Sequence, residues 1–221
     1  LILDESDSYG VEMALQLVEA AGGGDVSLVS MAPNGEVGGL RTALAMGAED
    51  AVLVSDSALA GTDALGTAKV LSAAISRMSP DLILAGVESS DGYTGTVPEM
   101  IAGALNMPSI TFAKQIRVEG STVMVQRQTE AGYDDVECPT PALVSVTAGV
   151  VEPRYPSFKG IMAAKKKEIR KVVTDSSVES TQVINRIYVP EKEKRTRFIE
   201  GTPGQAAEEL VRVLRDEARV V

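Results

Sequence analysis

The sequence predicts an α/β protein of the doubly wound kind, a mostly parallel, Rossmann-like sheet covered by helices, with an added antiparallel hairpin and an extended C-terminal arm. Helical apolar stripes alternate with short apolar runs over the first 110 residues, the pattern of helix-to-strand units feeding one sheet. Three such units follow one another before the rhythm changes at Pro108. With 221 residues, 44% of them hydrophobic, the chain can bury a sizeable core.

Val11, Ala14, Leu15 and Val18 make the first helical stripe, which ends at "AGGGD", and "VSLVSM" (26–31) reads as a buried strand. "GGLRTALAMGA" is a short helix stopped at Gly47, followed by the strand "DAVLVSD" (50–56). Leu71, Ala74, Ile75 and Met78 mark a third helix, and Pro80 leads into the strand "DLILAG" (81–86). A fourth helix is expected from about Val97, with Thr96 as its N-cap, Glu99 completing a capping box and Pro98 in the first turn. Beyond Pro108, "SITFAKQIRVEGSTVMVQRQ" alternates on either side of Glu119-Gly120-Ser121, an antiparallel hairpin, and "PALVSVTAG" (141–149) supplies another strand. Residues 172–202 read as an extended arm ahead of a terminal helix striped by Ala207, Leu210, Val211, Leu214 and Ala218. The expected organisation is a nucleotide-binding core at 1–150, a contact loop and basic helix at 151–171, and a C-terminal arm at 172–221. The series opens on a helix at Leu1 where a parallel sheet usually opens on a strand, so one further strand and a processed or incompletely represented N-terminus are expected upstream.

Composition removes several kinds of chemistry. With no histidine there is no Ser/His/Asp triad, imidazole base or His-ligated metal, and the single Cys138 forms no disulfide within the chain. Cys138, between Glu137 and Pro139 without a base nearby, reads as a bystander. No stretch approaches the ~20 apolar residues of a membrane span. A net charge of −10 argues against general nucleic-acid binding. Asp4, Glu5, Asp7 and Glu12 match no calcium loop, and read as charges favoured at a helix N-terminus.

Two loops could hold a ligand. "AGVESSDGYTGTVPEM" leaves a strand at Gly86 and enters a helix, the place where doubly wound sheets bind ligands. Gly92 and Gly95 permit close approach of backbone, and Ser89, Ser90, Thr94 and Thr96 offer hydroxyls. The alternative is an ordinary strand-to-helix loop, which uses the same residues. "SMAPNGEVGGLRTALAMG" offers a second helix start at the same edge, and the two loops together would bracket a purine and its ribose. Neither GxxxxGK[ST] nor GxGxxG occurs, so a nucleotide would be bound here, not hydrolysed.

The charge distribution is uneven. Residues 152–171 hold seven basic side chains against two acidic ones, a local +5 that leaves −15 for the rest. In "VEPRYPSFKGIMAAKKKEIRK" Pro153 and Pro156 forbid regular helix up to Ser157, which puts Tyr155 and Phe158 on a constrained loop. A helix is expected from about Gly160, with lysines complementing its C-terminal end. The aromatic loop reads either as a contact site or as a core pair ahead of a solvated helix.

"LDESDSYGVEMAL", "LRTALAMGA", "GVESSDGYTG" and above all "VEPRYPSFKGIMAAKKKE", in this order over nearly all of the chain, resemble the beta subunits of electron transfer flavoproteins. A further signature of that family resembles Arg127, Glu130, Gly132, Val136, Pro141, Leu143, Val144 and Ser145, with departures at Ala131 and Asp134. The resemblance implies a non-catalytic subunit that pairs with a larger alpha subunit holding the redox-active FAD, and that binds AMP structurally or, in a bifurcating variant, a second FAD. It places the AMP site at Asp4, Asp7, Met31 and the Gly86–Thr96 loop with Asp91 and Thr94, although Asp4-Glu5 stands where an asparagine-proline pair is usual. It makes Phe158 the counterpart of a leucine that anchors partner dehydrogenases, with Tyr155, Ile161 and Met162 around it. Acyl-CoA or other flavin dehydrogenases would be the partners, electron transport in fatty acid oxidation the setting, and the cytoplasm the location. A stand-alone adenine-nucleotide-binding stress-type protein is the alternative of a different class.

Overall fold

The computed structural model describes residues 2–174, 180–191 and 196–220 and carries the expected alternation of helix and strand. Helix α1 (Glu5–Ala21) starts at Asp4, whose side chain accepts from the Ser6 N–H at 2.9 Å, and stops at Gly22 in the left-handed region. Strand β1 (Ser27–Met31), α2 (Gly38–Met46), β2 (Asp50–Val54), α3 (Ala64–Ile75), β3 (Leu82–Gly86) and α4 (Val97–Leu105) follow in order. Next come β4 (Ser109–Glu119), β5 (Thr122–Thr129), β6 (Gly132–Pro139) and β7 (Ala142–Val146), then α5 (Phe158–Ala164), β8 (Ile169–Val172) and α6 (Pro203–Arg212). One turn of π-helix, Val213–Glu217, extends α6.

The strands form two sheets, β1-β2-β8 wholly parallel and β3-β7-β4-β5-β6 parallel up to β4 and antiparallel beyond it. Each sheet has a near-apolar strand paired on both sides, β2 in one and β7 in the other, because strands covered on both faces have no side to give to water. On β7 the division of faces is explicit. Ala142, Val144 and Val146 pack with Met13 of α1, while Leu143, one residue out of phase, packs with α3 and α4 through Ala68, Ile75, Ile101 and Ala102. Helix α1 also meets α2 through Leu15, Ala43 and Met46, and α3 shares a cluster with Val29 of β1. These two helices, one on each face, tie the sheets together; β1 and β3 do not pair with each other.

Four expectations are corrected. The basic helix ends at Ala164, and the chain then runs extended as β8 along β2, with Ser55 N–H donating to Val172 O and Ala51 N–H to Glu168 O. Lysine-rich sequence favours helix locally, but the open edge of β2 offers a ladder of hydrogen bonds that this weak preference does not outweigh. Phe158 is the first residue of α5, not part of a loop, because the Ser157 hydroxyl accepts from the Gly160 N–H at 3.0 Å and caps the helix. The capping box at Thr96 does not form: Thr96 has ψ −13°, away from the extended geometry that aims a cap, and makes no side-chain cap bond. Finally, β6 is a strand the pattern did not show. Its acidic "GYDDVECP" has poor strand propensity, and that suits an outer edge where charge discourages further pairing.

The chain divides into two compact units, Leu1–Val183 and Ile184–Val221. At the end of the first, Asp63 caps α3 through Gly66 N–H at 2.8 Å and also accepts from Thr181 N–H and hydroxyl and from Gln182 N–H. These donors, the Gly66 N–H foremost, hold its carboxyl at about 2. In the second unit the N-terminus of α6 is closed by a capping box between Thr202 and Gln205, and none of the helix's residues is buried. The parts of the expected arm at 175–179 and 192–195 lie outside the described residues.

Candidate functional site

The loop after β3 lies against the N-terminus of α1. Asp4 does two things there. One oxygen caps α1, and the other accepts from the N–H and hydroxyl of Ser90, with the N–H at 2.8 Å. Ser89 Oγ accepts from Gly92 N–H at 3.3 Å. The hydroxyls of Ser89 and Ser90, expected to face a ligand, are therefore used in shaping the loop. Gly86 is also structural: a Cβ there would lie 2.8 Å from the Ser6 Cβ, so its lack of a side chain is what lets α1 sit on the end of β3. Gly95, at φ +61°, takes a turn that a side chain would strain.

What remains unengaged is further along. Among the described residues, the backbone N–H groups of Thr94, Gly95, Thr96 and Val97 and the hydroxyls of Thr94 and Thr96 make no hydrogen bond. They converge in sequence on the start of α4, where the helix dipole favours negative charge. Glu99 in the same turn buries its Oε2 without a partner. Carboxylates crowd the other side. Although solvent reaches Asp7, protein packs round it closely enough that desolvation, then the charges of Asp4 and Asp91, raise its carboxyl above the ordinary range. Asp4 itself is lowered, because the donors Ser90 and Ser6 outweigh its own desolvation. Such a rim, with a row of free donors beside a group of carboxylates, fits a ligand that combines an anionic group with hydroxyls or an amine. Met31, at the end of β1, packs against the cluster of Val54, Leu59 and Val70. Among the described residues no group of three or more His, Cys, Asp or Glu side chains is placed to hold a metal.

The second feature is an apolar projection. Tyr155 and Phe158 are 93% and 81% exposed, and Ile161 and Met162 are exposed beside them. A groove lined by Arg41, Thr42, Ala45, Pro156 and Ile161 opens next to Tyr155. Of the two readings of this segment, the exposures rule out the core pair, which would be dry.

The basic run is mostly consumed in fastening this projection to the core. Lys167 Nζ donates to Ala48 O at 2.5 Å at the end of α2, Lys171 Nζ donates to Gly35 O at 2.9 Å, and Arg170 pairs with Asp50 at 3.3 Å. From the α2 side, Arg41 reaches back to the carbonyls of Ala164 and Lys167. Arg154 is held by Glu12 and Glu19 of α1. Glu12 is accordingly no N-terminal charge, as the sequence had implied, but a buried ion-pair partner. Burial alone would raise its carboxyl; donation from Arg154 and Gln16 outweighs that and holds it below the usual glutamate range. Its contribution is thus present at neutral pH and lost only as acid carries the solution down through that lowered value. Lys159, Lys165 and Lys166 make no ion pair among the described residues and surround the apolar group with free charge.

Sequence reasoning missed Arg41 and gave Glu12 and Glu99 other roles, a charge at a helix N-terminus and a capping-box partner. For Glu12 a signal existed: it sits beside Val11 and one turn before Leu15, an acid within an apolar stripe. Cys138 is half-buried on β6, and burial raises its thiol above the ordinary cysteine range.

The sequence pattern of the family described as Electron transfer flavoprotein domain matches residues 1–177. An "Electron transfer flavoprotein subunit beta" of Thermoanaerobacterium thermosaccharolyticum is 38% identical over 178 residues, 80% of this chain and 68% of that protein. One of Mycobacterium bovis is 39% identical over 188 residues, 82% and 71% of the two chains. One of Bacillus subtilis is 33% identical over 228 residues, spanning 100% of this chain and 88% of the relative.

Proposed function

This chain belongs to the electron transfer flavoprotein family, and from that premise we propose that it is the beta subunit of a heterodimeric electron carrier whose alpha subunit holds FAD. The FAD supplies the electron-carrying chemistry when bound. This chain's own residues dock the electron donor, bind a nucleotide and grip the partner subunit. The observation that carries the reading is the exposure of Tyr155 and Phe158 on a segment stiffened by Pro153 and Pro156. Exposed aromatic surface of that kind is costly to keep in water unless a partner covers it. The free lysines around it favour a flavin dehydrogenase, such as an acyl-CoA dehydrogenase, with an apolar pocket and an acidic rim.

AMP suits the rim after β3, with its phosphate on the N–H groups of Thr94–Val97 and the hydroxyls of Thr94 and Thr96. Its ribose hydroxyls or amine would meet Asp4, Asp7 and Asp91. In this reading the nucleotide has a structural role, bridging the start of α4 and the start of α1. The amphipathic α6, with Leu210 and Val211 exposed, offers an apolar face to the alpha subunit. No helix among the described residues is long and apolar enough to cross a membrane.

Phe158→Ala is expected to raise the KM for reduction by an acyl-CoA dehydrogenase at least tenfold, with chemical reduction of the flavin and thermal stability unchanged. A side chain so exposed contributes little to folding. Unchanged KM would remove the docking reading. Nucleotide released from the denatured heterodimer is expected to be one FAD and one AMP; two FAD and no AMP would instead establish the bifurcating variant.

A further inference from the structure

Glu12 is the one buried charged side chain among the described residues, 3% exposed. A carboxylate is expensive to bury, and it stays ionised only where every lone pair is met. Here they are met by one residue above all. Glu12 Oε2 accepts from Arg154 Nε at 2.7 Å and from the Arg154 backbone N–H at 3.2 Å; Oε1 accepts from Arg154 Nη2 at 3.0 Å and from Gln16 Nε2 at 2.8 Å. Arg154 Nη1 reaches on to Glu19 Oε1 at 2.8 Å. Glu12, Gln16 and Glu19 are spaced i, i+4 and i+7, so they share one face of α1. The grip therefore fixes both the side chain and the main chain of Arg154, in the planar two-pronged geometry that a lysine cannot reproduce.

Arg154 immediately precedes Tyr155, and Phe158 stands four residues on. Neither aromatic ring is held by packing of its own, being 93% and 81% exposed. Tyr155 takes its position from the backbone beneath it, fixed by Pro153 and Pro156 on the chain and by α1 through Arg154, and Phe158 takes its own from that backbone together with α5, which packs on α2 through Ala164. We propose that Glu12 is a positioning residue for docking: acting through Arg154, it holds the Tyr155–Phe158 projection where the electron donor's pocket meets it. A projection that is already ordered gives up less conformational freedom on binding, so its partner binds more tightly. The inference rests on the docking reading of Phe158.

The test uses the chain with its alpha subunit, in Glu12→Gln and Arg154→Lys variants. Glu12→Gln keeps shape but loses the charge and one acceptor. Arg154→Lys keeps the charge at a site 35% exposed, and so preserves a test if the first variant folds poorly. Two quantities are read, backbone amide exchange over 154–158 and the KM and kcat for reduction by an acyl-CoA dehydrogenase. Expected are exchange at least tenfold faster over 154–158 and a fivefold or larger rise in KM, with kcat at saturation and flavin content unchanged. A fall in kcat without change in KM, or unchanged exchange over 154–158, would overturn the assignment while Phe158→Ala still raised KM. Unchanged KM in Phe158→Ala would remove the docking reading and this inference with it.

Discussion

Leu143→Ala is expected to cost about 3–5 kcal/mol of unfolding free energy. Leu143 sits on β7, the strand between β3 and β4, and is wholly inaccessible to solvent. Its side chain fills the layer between the sheet and two helices, touching a cluster that includes Ala68 and Ile75 of α3 and Ile101 and Ala102 of α4. Several of those neighbours are already alanine, so they cannot reach in to refill the space, and the sheet behind is held by hydrogen bonds on both edges. The void should persist, and the cost should fall near the top of the range for such truncations. Against a total stability of about 5–15 kcal/mol this is a large fraction. Urea denaturation should show a lower midpoint with an unchanged slope. Leu65→Ala provides the contrast. Leu65 is 41% exposed at the start of α3, and its truncation should change stability by no more than about 0.5 kcal/mol. Equal losses at the two positions would contradict the placement of the core.

Gly160→Ala is expected to destabilise the protein, and here the sign is the test. Gly160 lies within α5, where alanine is intrinsically better than glycine by about 1 kcal/mol. A Cβ at this position, however, would come 2.5 Å from the carbonyl oxygen of Ala45, a backbone atom at the end of α2. It cannot be accommodated by a side-chain rotation, so α5 must move away from α2. That movement strains the bonds from Arg41 to the carbonyls of Ala164 and Lys167 and the packing of Ala164, which is 2% exposed. Overpacking of this kind costs about 1–3 kcal/mol, which exceeds the gain in propensity. Because Phe158, Ile161 and Met162 ride on the same helix, the KM for a docking dehydrogenase should rise as well. Gly103→Ala in α4 is the control of opposite sign. A Cβ there meets nothing within 4 Å, so only propensity acts and stability should rise by about 0.5–1 kcal/mol. Thermal unfolding of the two variants side by side reads the difference in sign.

Most regular elements of the core could be read from the sequence. The strands at β1, β2, β3 and β7 and the helices between them stand within a few residues of the apolar runs and stripes that announce them. The exposure of Tyr155 and Phe158 could be anticipated as one of two readings, because two prolines keep the chain out of helix up to Ser157, although Phe158 itself opens α5. The candidate nucleotide rim was legible as a loop but not in its parts. Ser89 and Ser90 offer the same hydroxyls on paper whether they face a ligand or, as here, Gly92 and Asp4. Nothing in "TGTVPEM" announces that Thr96 fails to cap or that Glu99 ends with an unpartnered buried oxygen.

The sequence by itself determined the order and kind of the core elements, because helix and strand periods are properties of neighbouring residues. It also determined the stiffness of the Pro153–Pro156 segment, a matter of covalent geometry at each ring. Only the tertiary structure decided that "IRKV" is a strand. That outcome depends on an open edge of β2 more than a hundred residues away, and local propensity carries no record of such an edge. Only the tertiary structure, likewise, converted Glu12 from a surface charge into the support of Arg154, across 142 residues of chain. Contacts of that length arise from how helices and sheets stack, and their energies come from removing particular charges from water together. A pattern confined to a few turns of chain cannot encode which charges those are.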